Sequence, residues 1–371
     1  MGILLFGYKS IPEFKFENIQ PQARFSIVIP FRNEAQNLPY LLQSLKKLKY
    51  PGNLFEIIFI DDESDDKSVE IIETNLKSQN YAWGEKTLQF KIIKNKRFSA
   101  SPKKDAITTA INIAEYEWIL TTDADCKFSD KWLEVFNAFI QKKNPIMIAG
   151  LVSYSEENSF INHFQKMDNL SLQLVTMGSF GLYNPILCNG ANLAYKKEVF
   201  NAVGGFSENN HIASGDDIFL LEKLIKKYPK AVHFLKSSDA IVITNSEKNW
   251  NRVIQQRIRW ASKTIKQKNI LSKGLGILVF LTNLFIIVGF IVSLFETDLI
   301  PYFLFILVMK MLIDFIVIKM CAAFFNKKNN LFVFIACELI YPIITVLVVL
   351  RSINGSYTWK GRKINNIFYL K

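Results

Sequence analysis

The feature that most limits how this chain can fold is the run 275–295, which is predominantly apolar and carries no charge. It is long enough to cross the hydrocarbon core of a bilayer as one helix. Two further apolar runs follow, 300–320 and 331–350. The first of these holds Lys310, Asp314 and Lys319; the second holds Glu338 and Pro342. Ionisable groups at bilayer depth are costly and usually face protein or a cavity. Lys310 and Asp314 are four residues apart, close enough on a helix to pair. The sequence therefore divides into an N-terminal segment 1–24, a soluble-looking domain 25–262, and a membrane region 263–371 with two or three spans and a basic tail. Lys263, Lys266, Lys268 and Lys273 stand ahead of the first span, which places the domain before it on the cytosolic side. Lys327-Lys328 and the tail Trp359-Lys-Gly-Arg-Lys363 favour that side too. Three full crossings would put the tail outside, so the charge pattern implies that one of the later runs does not cross.

The net charge of +12 by itself would invite a nucleic-acid reading. The lysines, however, crowd beside the apolar runs, where they meet anionic lipid. There is no zinc spacing, no RNA-binding aromatic motif and no basic stripe elsewhere, so no nucleic-acid partner is expected. Cys126, Cys188, Cys321 and Cys337 are widely separated and read as free thiols in a reducing compartment. With only His163, His211 and His233, a His-based zinc site or a His-driven triad is not expected. The apolar stretch 1–7 is too short for a signal-peptide core or a span. It is read as lying on a bilayer surface, with a frayed end as the plain alternative.

Ahead of the membrane region, strand and helix alternate. Strands are predicted over 25–30 (stopped by Pro30), 55–60, 87–94 and 118–122, with helices from 37 to 48, 69 to 76 and 103 to 114. Such alternation implies the α/β class, a mostly parallel sheet with helices on both faces. Ligands of such sheets bind beyond the carboxyl ends of the strands. Glu34, Asp61, Asp62, Asp123 and Asp125 all fall at that edge. Few arginines lie near them in sequence, and gathered carboxylates repel unless a cation or a donor-rich ligand joins them. Asp123 and Asp125 are two apart, so on extended backbone they face one side. Hard oxygen ligands there suit Mg²⁺ or Mn²⁺ held against a diphosphate. A solvated strand end is the alternative, as is a helix cap at Ser64 or Asp65 for the Asp61-Asp62-Glu-Ser stretch.

Further on, a strand is predicted over 146–152 and a helix over 160–177. The small-residue stretch Cys188-Asn-Gly-Ala-Asn192 suits close backbone approach. Gly215-Asp216-Asp217 puts two acids at the mouth of a helix, where the macrodipole favours negative charge; capping needs only one of them. Short strands are expected at 231–234 and 240–244. A basic helix over 251–268 carries Gln256-Arg-Ile-Arg259-Trp260. Gln256 and Arg259 share a face. Arg supplies fixed donors for diphosphate oxygens and Trp a flat apolar wall. An amphipathic helix on a membrane surface is the alternative.

Four elements thus stand in one order: Asp61-Asp62, Asp123-Ala-Asp125, Gly215-Asp216-Asp217 and Gln256-Arg-Ile-Arg259-Trp260. The set resembles the family 2 glycosyltransferases, in particular the membrane-attached branch with the cellulose, chitin and hyaluronan synthases and ceramide glucosyltransferase. The likeness covers 25–260. Ile29-Pro30-Phe-Arg-Asn-Glu34 is similar to the family's opening loop, and Asp216-Asp217-Ile-Phe-Leu220 to its acidic pair followed by leucine. Lys103 sits where members carry Gly-Lys, with Pro102 in place of the glycine.

The resemblance implies a GT-A-type nucleotide-diphospho-sugar transferase domain followed by a helical transmembrane region. It implies inverting transfer from a nucleotide sugar, a UDP-sugar at the family level. By resemblance, Pro30, Glu34, Asp61, Asp62, Lys103 and Asp123 would hold the nucleotide sugar. Asp125, with Asp123, would bind the Mg²⁺ or Mn²⁺. Asp217 would be the general base, beside Asp216. Gln256, Arg259 and Trp260 would close over the diphosphate and the acceptor end. Where members often read Thr-Glu-Asp, this chain has Gly-Asp-Asp, with a shorter side chain at 216. The membrane region is small for a polymer-secreting channel, which favours single-sugar transfer to a membrane lipid or lipid-linked acceptor. A processive polysaccharide synthase is one alternative. A non-catalytic nucleotide-sugar-binding partner is another, and intact Asp125, Asp217 and Arg259 argue against it. The expected location is integral to a bacterial inner membrane, with the catalytic domain in the cytosol.

Overall fold

The computed structural model describes residues 2–77, 82–83, 86–87, 89–326, 330–353 and 356–365. Lys327, Lys328 and part of the predicted strand 87–94 lie outside them. The chain divides into two compact units. One comprises Met1–Ser155 and Val175–Asn245, the other Glu156–Leu174 and Ser246–Lys371.

The first unit begins with α1 (Gly2–Ser10), β1 (Phe25–Phe31), α2 (Leu38–Lys46), β2 (Phe55–Asp61) and α3 (Ser68–Lys77). The short pair β3 (Ala82–Trp83) and β4 (Lys86–Thr87) precedes β5 (Gln89–Lys94), α4 (Pro102–Ile113), β6 (Trp118–Thr121) and α5 (Trp132–Lys143). Then come β7 (Met147–Gly150) and β8 (Val152–Tyr154). The long α6 (Phe160–Gly181) starts in the second unit and ends in the first. After it follow β9 (Leu193–Lys196), α7 (Lys197–Ala202), α8 (Asp216–Lys227), β10 (Val232–Leu235) and β11 (Val242–Thr244).

Seven strands form one sheet in the order β10-β7-β9-β6-β1-β2-β5. All neighbours run parallel except β9, which is antiparallel to both β6 and β7. Parallel strands are covered on both faces, which is why β1 and β2 read as nearly continuous apolar runs. On one face Phe25, Ile27 and Ile29 meet Leu38, Leu41, Leu42 and Leu45 of α2 in a core that also takes in Trp132 and Phe136 of α5. On β1 and β2, α4 packs as well. Glu56 interrupts the apolar pattern of β2 and is fully buried. It accepts from Ser26 Oγ at 2.7 Å and the Glu115 N–H at 2.6 Å, and pairs with Lys91 at 3.1 Å.

Two expectations are corrected and one element is new. Pro30 does not stop β1, which continues to Phe31. Val28 O accepts from Thr122 N, so by alternation Pro30 faces the β6 side, where β6 has already ended and no ladder N–H is needed. The predicted strand 146–152 is two strands in different sheets, because the chain turns at Leu151. The Leu151 carbonyl instead accepts from Val242 N and from Asn192 Nδ2. The antiparallel β9 was not predicted: it is short, lacks alternation, and follows directly on the small-residue stretch.

The N-terminus is a seated helix. Leu4, Gly7 and Tyr8 are buried, and a Cβ at Gly7 or Gly181 would collide with backbone across the α1–α6 contact. Ile3 and Phe6 on its other face remain 72% and 70% exposed.

The second unit holds the start of α6 with α9 (Trp250–Lys266), α10 (Ile270–Phe295), α11 (Ile300–Phe324), α12 (Leu331–Ile353) and the hairpin β12 (Ser356–Trp359) and β13 (Arg362–Asn365). All three apolar runs are continuous helices. By length and composition, α10 and α12 can cross a membrane. In α11, Lys310 pairs with Asp314 at 3.0 Å, as their spacing predicted, and also with Glu338 of α12. The basic helix ends at Lys266, and α10 starts anew with Asn269 accepting from the Leu271 and Ser272 amides.

Candidate active site

The loops after β1 and β2 clasp each other at the carboxyl edge of the sheet. Asn33 and Glu63 both take positive φ, 53° and 61°. Asn33 Oδ1 accepts from Asp65 N, and Ser64 Oγ and Ser68 Oγ accept from Asn33 N and Glu34 N. Asp61 Oδ1 accepts from the Ser64 amide at 2.9 Å, a local turn bond. The bond that leads into α3 is Asp66 accepting from Ser68 N at 2.9 Å, rather than a cap at Ser64 or Asp65. Glu34 is buried and accepts from Asn37 Nδ2 at 2.6 Å.

Asp62, also buried, accepts from Asn95 Nδ2 at 2.7 Å and Arg97 Nε at 2.9 Å. Arg97 also reaches Glu63 at 2.9 Å, and Arg32 donates to the Asp62 carbonyl at 3.0 Å. The shortage of arginines read from the sequence is therefore corrected: two guanidiniums serve this loop. Arg97 was missed because it is distant in sequence. Its place follows from register, since Asp61 pairs with Lys94 and so sets 95–97 beside Asp62.

A second acidic cluster gathers next to β6. Lys103, in the first turn of α4, pairs with Asp123 at 2.6 Å and Asp216 at 3.6 Å. Burial alone would make its ammonium easier to deprotonate; Asp123, then Asp216 and Asp217, more than offset this and hold it firmly charged. The predicted geometry of Asp123 and Asp125 is corrected. β6 ends at Thr121, and Asp123 to Cys126 form a turn closed by Cys126 N donating to Asp123 O at 3.1 Å. Extended-strand alternation therefore does not govern them. Asp123 turns to Lys103, whereas Asp125 accepts from Thr244 Oγ1 at 3.0 Å. Burial, then the charge of Asp123, pushes the Asp125 carboxyl up to about 6.

Among the described residues no group of three or more metal-ligating side chains gathers. A divalent cation on a diphosphate needs only one or two protein carboxylates, with phosphate and water supplying the rest. Asp125 and Asp123 fit that demand, and a cation would relieve the crowding of charge at Asp125.

Asp216 and Asp217 open α8, and both are buried. Gly215 before them has φ +86°, and a Cβ there would stand 2.6 Å from the Phe219 ring, so glycine is required. Asp217 Oδ1 accepts from Ile218 N at 2.8 Å and its Oδ2 from Gly190 N at 3.3 Å. Gly190 is close-packed in its turn: a Cβ would lie 2.9 Å from Asp216 Oδ2. The small-residue stretch thus brings backbone against the acidic pair. Thr121 Oγ1 donates to Gly190 O at 2.6 Å and ties this turn to the end of β6. The buried Lys104 donates to Asn209 O at 2.7 Å and Ile212 O at 2.9 Å, anchoring the loop that leads into Gly215.

Gln256, Arg259 and Trp260 lie on α9 in the second unit, all half-buried. α9 buries Val253, Arg257 and Ile258 and packs on α12. It is therefore a packed helix and not one lying alone on a surface. Arg257, inside the motif but passed over in the sequence, pairs with Asp168 at 2.5 Å.

Comparison with known proteins agrees with this architecture. The family described as Glycosyl transferase family 2 matches residues 26–204, and Glycosyl transferase family group 2 matches 118–326. Probable glycosyltransferase YdaM of Bacillus subtilis is 22% identical over 68% of this chain and 58% of its own length. The beta-monoglucosyldiacylglycerol synthase of Trichormus variabilis is 23% identical over 64% and 48%. The poly-beta-1,6-N-acetyl-D-glucosamine synthase of Staphylococcus epidermidis is 25% identical over 64% and 53%. The chain spans about half the length of these curated relatives. Among solved structures, mannosyltransferase PcManGT of Pyrobaculum calidifontis, in complex with GDP-Man and Mn²⁺, is similar in fold, with a TM-score of 0.55 at 15% identity over 94% of both chains. With its mostly parallel GT-A-type sheet and C-terminal apolar helices, the chain belongs to the family 2 glycosyltransferases.

Proposed function

We propose that this chain is an inverting, metal-dependent hexosyltransferase. In this reading it moves a sugar from a nucleotide diphosphate sugar, a UDP-sugar, to a hydroxyl of a membrane lipid or lipid-linked acceptor. The observation that carries the reading is the partly buried cluster in which Lys103 meets Asp123 and Asp216 while Asp217 adjoins on Gly190. An acceptor hydroxyl is a poor nucleophile, and its proton must leave as it attacks the anomeric carbon. Asp217 accepts that proton, a role worth roughly 10²–10⁴-fold. The Ile218 and Gly190 N–H groups hold its carboxylate in place, and Asp216 keeps Lys103 beside it. One displacement inverts the anomeric centre, so no second nucleophile is needed.

The leaving diphosphate gathers charge, and the Lys103 ammonium stands ready to stabilise it. A Mg²⁺ or Mn²⁺ ion held by Asp125 and Asp123 would supply Lewis-acid stabilisation of that same charge. Pro30, Glu34, Asp61 and Asp62 bind the nucleoside end, with Arg97 fixing the Asp62 carboxylate. Gln256, Arg259 and Trp260 serve the diphosphate and the acceptor end. A lipid acceptor is supported by the two helices able to cross a bilayer and by the relative that is a glucosyldiacylglycerol synthase. The lysines at 263, 266, 268 and 273 support a cytosolic catalytic face of a bacterial inner membrane.

The test is product analysis. The detergent-solubilised chain is incubated with a panel of UDP- and GDP-sugars, Mg²⁺ or Mn²⁺, and a membrane lipid extract. A single glycosylated lipid with inverted anomeric configuration is expected. A retained configuration, or a glycan polymer as product, would overturn the proposal.

A further inference from the structure

Arg257 is buried within the helical unit, yet the chemistry proposed above gives it no task. Three side chains hold its guanidinium, and a fourth braces one of them. Asp168 of α6 pairs with its NH2 at 2.5 Å. Tyr341 of α12 reaches the other oxygen of Asp168 at 3.5 Å. NH1 donates to Gln256 Oε1 at 3.0 Å. The guanidinium also lies over the Trp260 ring, 4.2 Å from its centroid. A plain structural ion pair would need only the first of these contacts. The other two side chains it touches, Gln256 and Trp260 of α9, are ones assigned above to the diphosphate and the acceptor end.

We propose that Arg257 is a positioning residue, pinned by Asp168 so that its flat guanidinium fixes the rotamers of Gln256 and Trp260 for nucleotide-sugar binding. This rests on the assignment of Gln256 and Trp260 to the donor site. Arg suits the role because its planar fork can donate and stack at once. A lysine offers a point charge with neither property. Gln and Trp side chains set before the ligand arrives do not have to be ordered when it binds. Asp168 and Tyr341 come from α6 and α12, so the motif helix is keyed to a helix able to cross a bilayer.

The experiment uses the 371-residue chain in detergent, titrated with UDP and with GDP in the presence of Mn²⁺, by calorimetry. Three variants are compared with wild type, each with its thermal midpoint. Arg257→Lys keeps a cation beside Asp168 but loses the fork and the stack. The double variant Asp168→Leu, Arg257→Met replaces the buried pair with apolar packing, which commonly preserves a fold. Trp260→Ala tests the underlying site assignment.

The expected result is a wild-type-like midpoint for the double variant, with nucleotide affinity reduced about tenfold in it, in Arg257→Lys and in Trp260→Ala. Wild-type affinity in the double variant or in Arg257→Lys, with Trp260→Ala weakened, would overturn the positioning role alone. Wild-type affinity in Trp260→Ala, or no binding of either nucleotide to the wild-type chain, would overturn the site assignment and this inference with it. If Arg257→Lys fails to fold, the double variant decides.

Discussion

Replacing Lys103 with methionine tests how the acidic cluster is held together. The substitution keeps length and apolar volume and removes one charge. At 3.6 Å from Asp216, that charge is worth about 4–5 kcal/mol in Coulomb energy at an effective dielectric of about 20. Asp123 is nearer but over a third exposed, so solvent screens its share. Removing one partner of a buried pair typically costs about 3–5 kcal/mol, and the lower end suits this partly wetted site. About 3 kcal/mol corresponds to a fall of about 6–12 °C in Tm for a unit of this size. Three carboxylates raise the proton affinity of Lys103 in the fold. Its contribution is therefore complete below its ordinary value of 10.5 and is lost only as the pH climbs through the raised one. Thermal unfolding in detergent near pH 7.5 reads the full effect. Lys103→Arg, which keeps the charge, should recover most of it. A Lys103→Met midpoint within about 1 °C of wild type would refute the claim that this ammonium neutralises the cluster.

Other residues give independent checks. Asp105 is fully buried and accepts from Phe98 N, Ser99 N and Ser99 Oγ at 3.1, 3.0 and 2.6 Å, which fixes the loop carrying Arg97. Asp105→Ala should cost about 2–4 kcal/mol in denaturant unfolding and raise the donor KM more than it lowers kcat. Gly215→Ala forces a Cβ onto a φ of +86° against Phe219. A loss of about 2 kcal/mol is expected, with a lower kcat because Asp216 and Asp217 follow directly. Burial, then the charge of Lys143, lowers the proton affinity of His233 below its ordinary 6.5. The unfolded chain then protonates first, so stability falls as pH drops below about 6.5. His233→Gln should flatten that part of the pH–stability curve measured by urea unfolding.

What could be read ahead of the structure follows from range of interaction. The helices α10, α11 and α12 were legible because bilayer-length apolar runs admit few alternatives. β1 and β2 were legible because a strand covered on both faces is apolar at nearly every position. The acids at the sheet's carboxyl edge followed from those strand ends. Non-local features stayed hidden. Whether residues 146–152 continue as one strand is decided by Val242 and Asn192, which claim the Leu151 carbonyl. β9 is called into the sheet by β6 and β7 rather than by its own pattern. The turn at Asp123 overrode strand alternation, and the two carboxylates take different partners, Lys103 and Thr244, from two other elements. Arg97 and Arg257 went unseen because their partners, Asp62 and Asp168, are distant along the chain.

In the proposed reaction Asp217 takes the acceptor's proton. The most direct measurement is the rate of nucleoside diphosphate release by wild type and Asp217→Asn, with donor, metal and membrane lipid extract all saturating. Asparagine keeps the size of the side chain and removes the base. In Asp217→Asn kcat is expected to fall by roughly 10²–10⁴-fold while nucleotide affinity stays within about threefold. Full turnover in Asp217→Asn, with donor consumed at the wild-type rate, would contradict it.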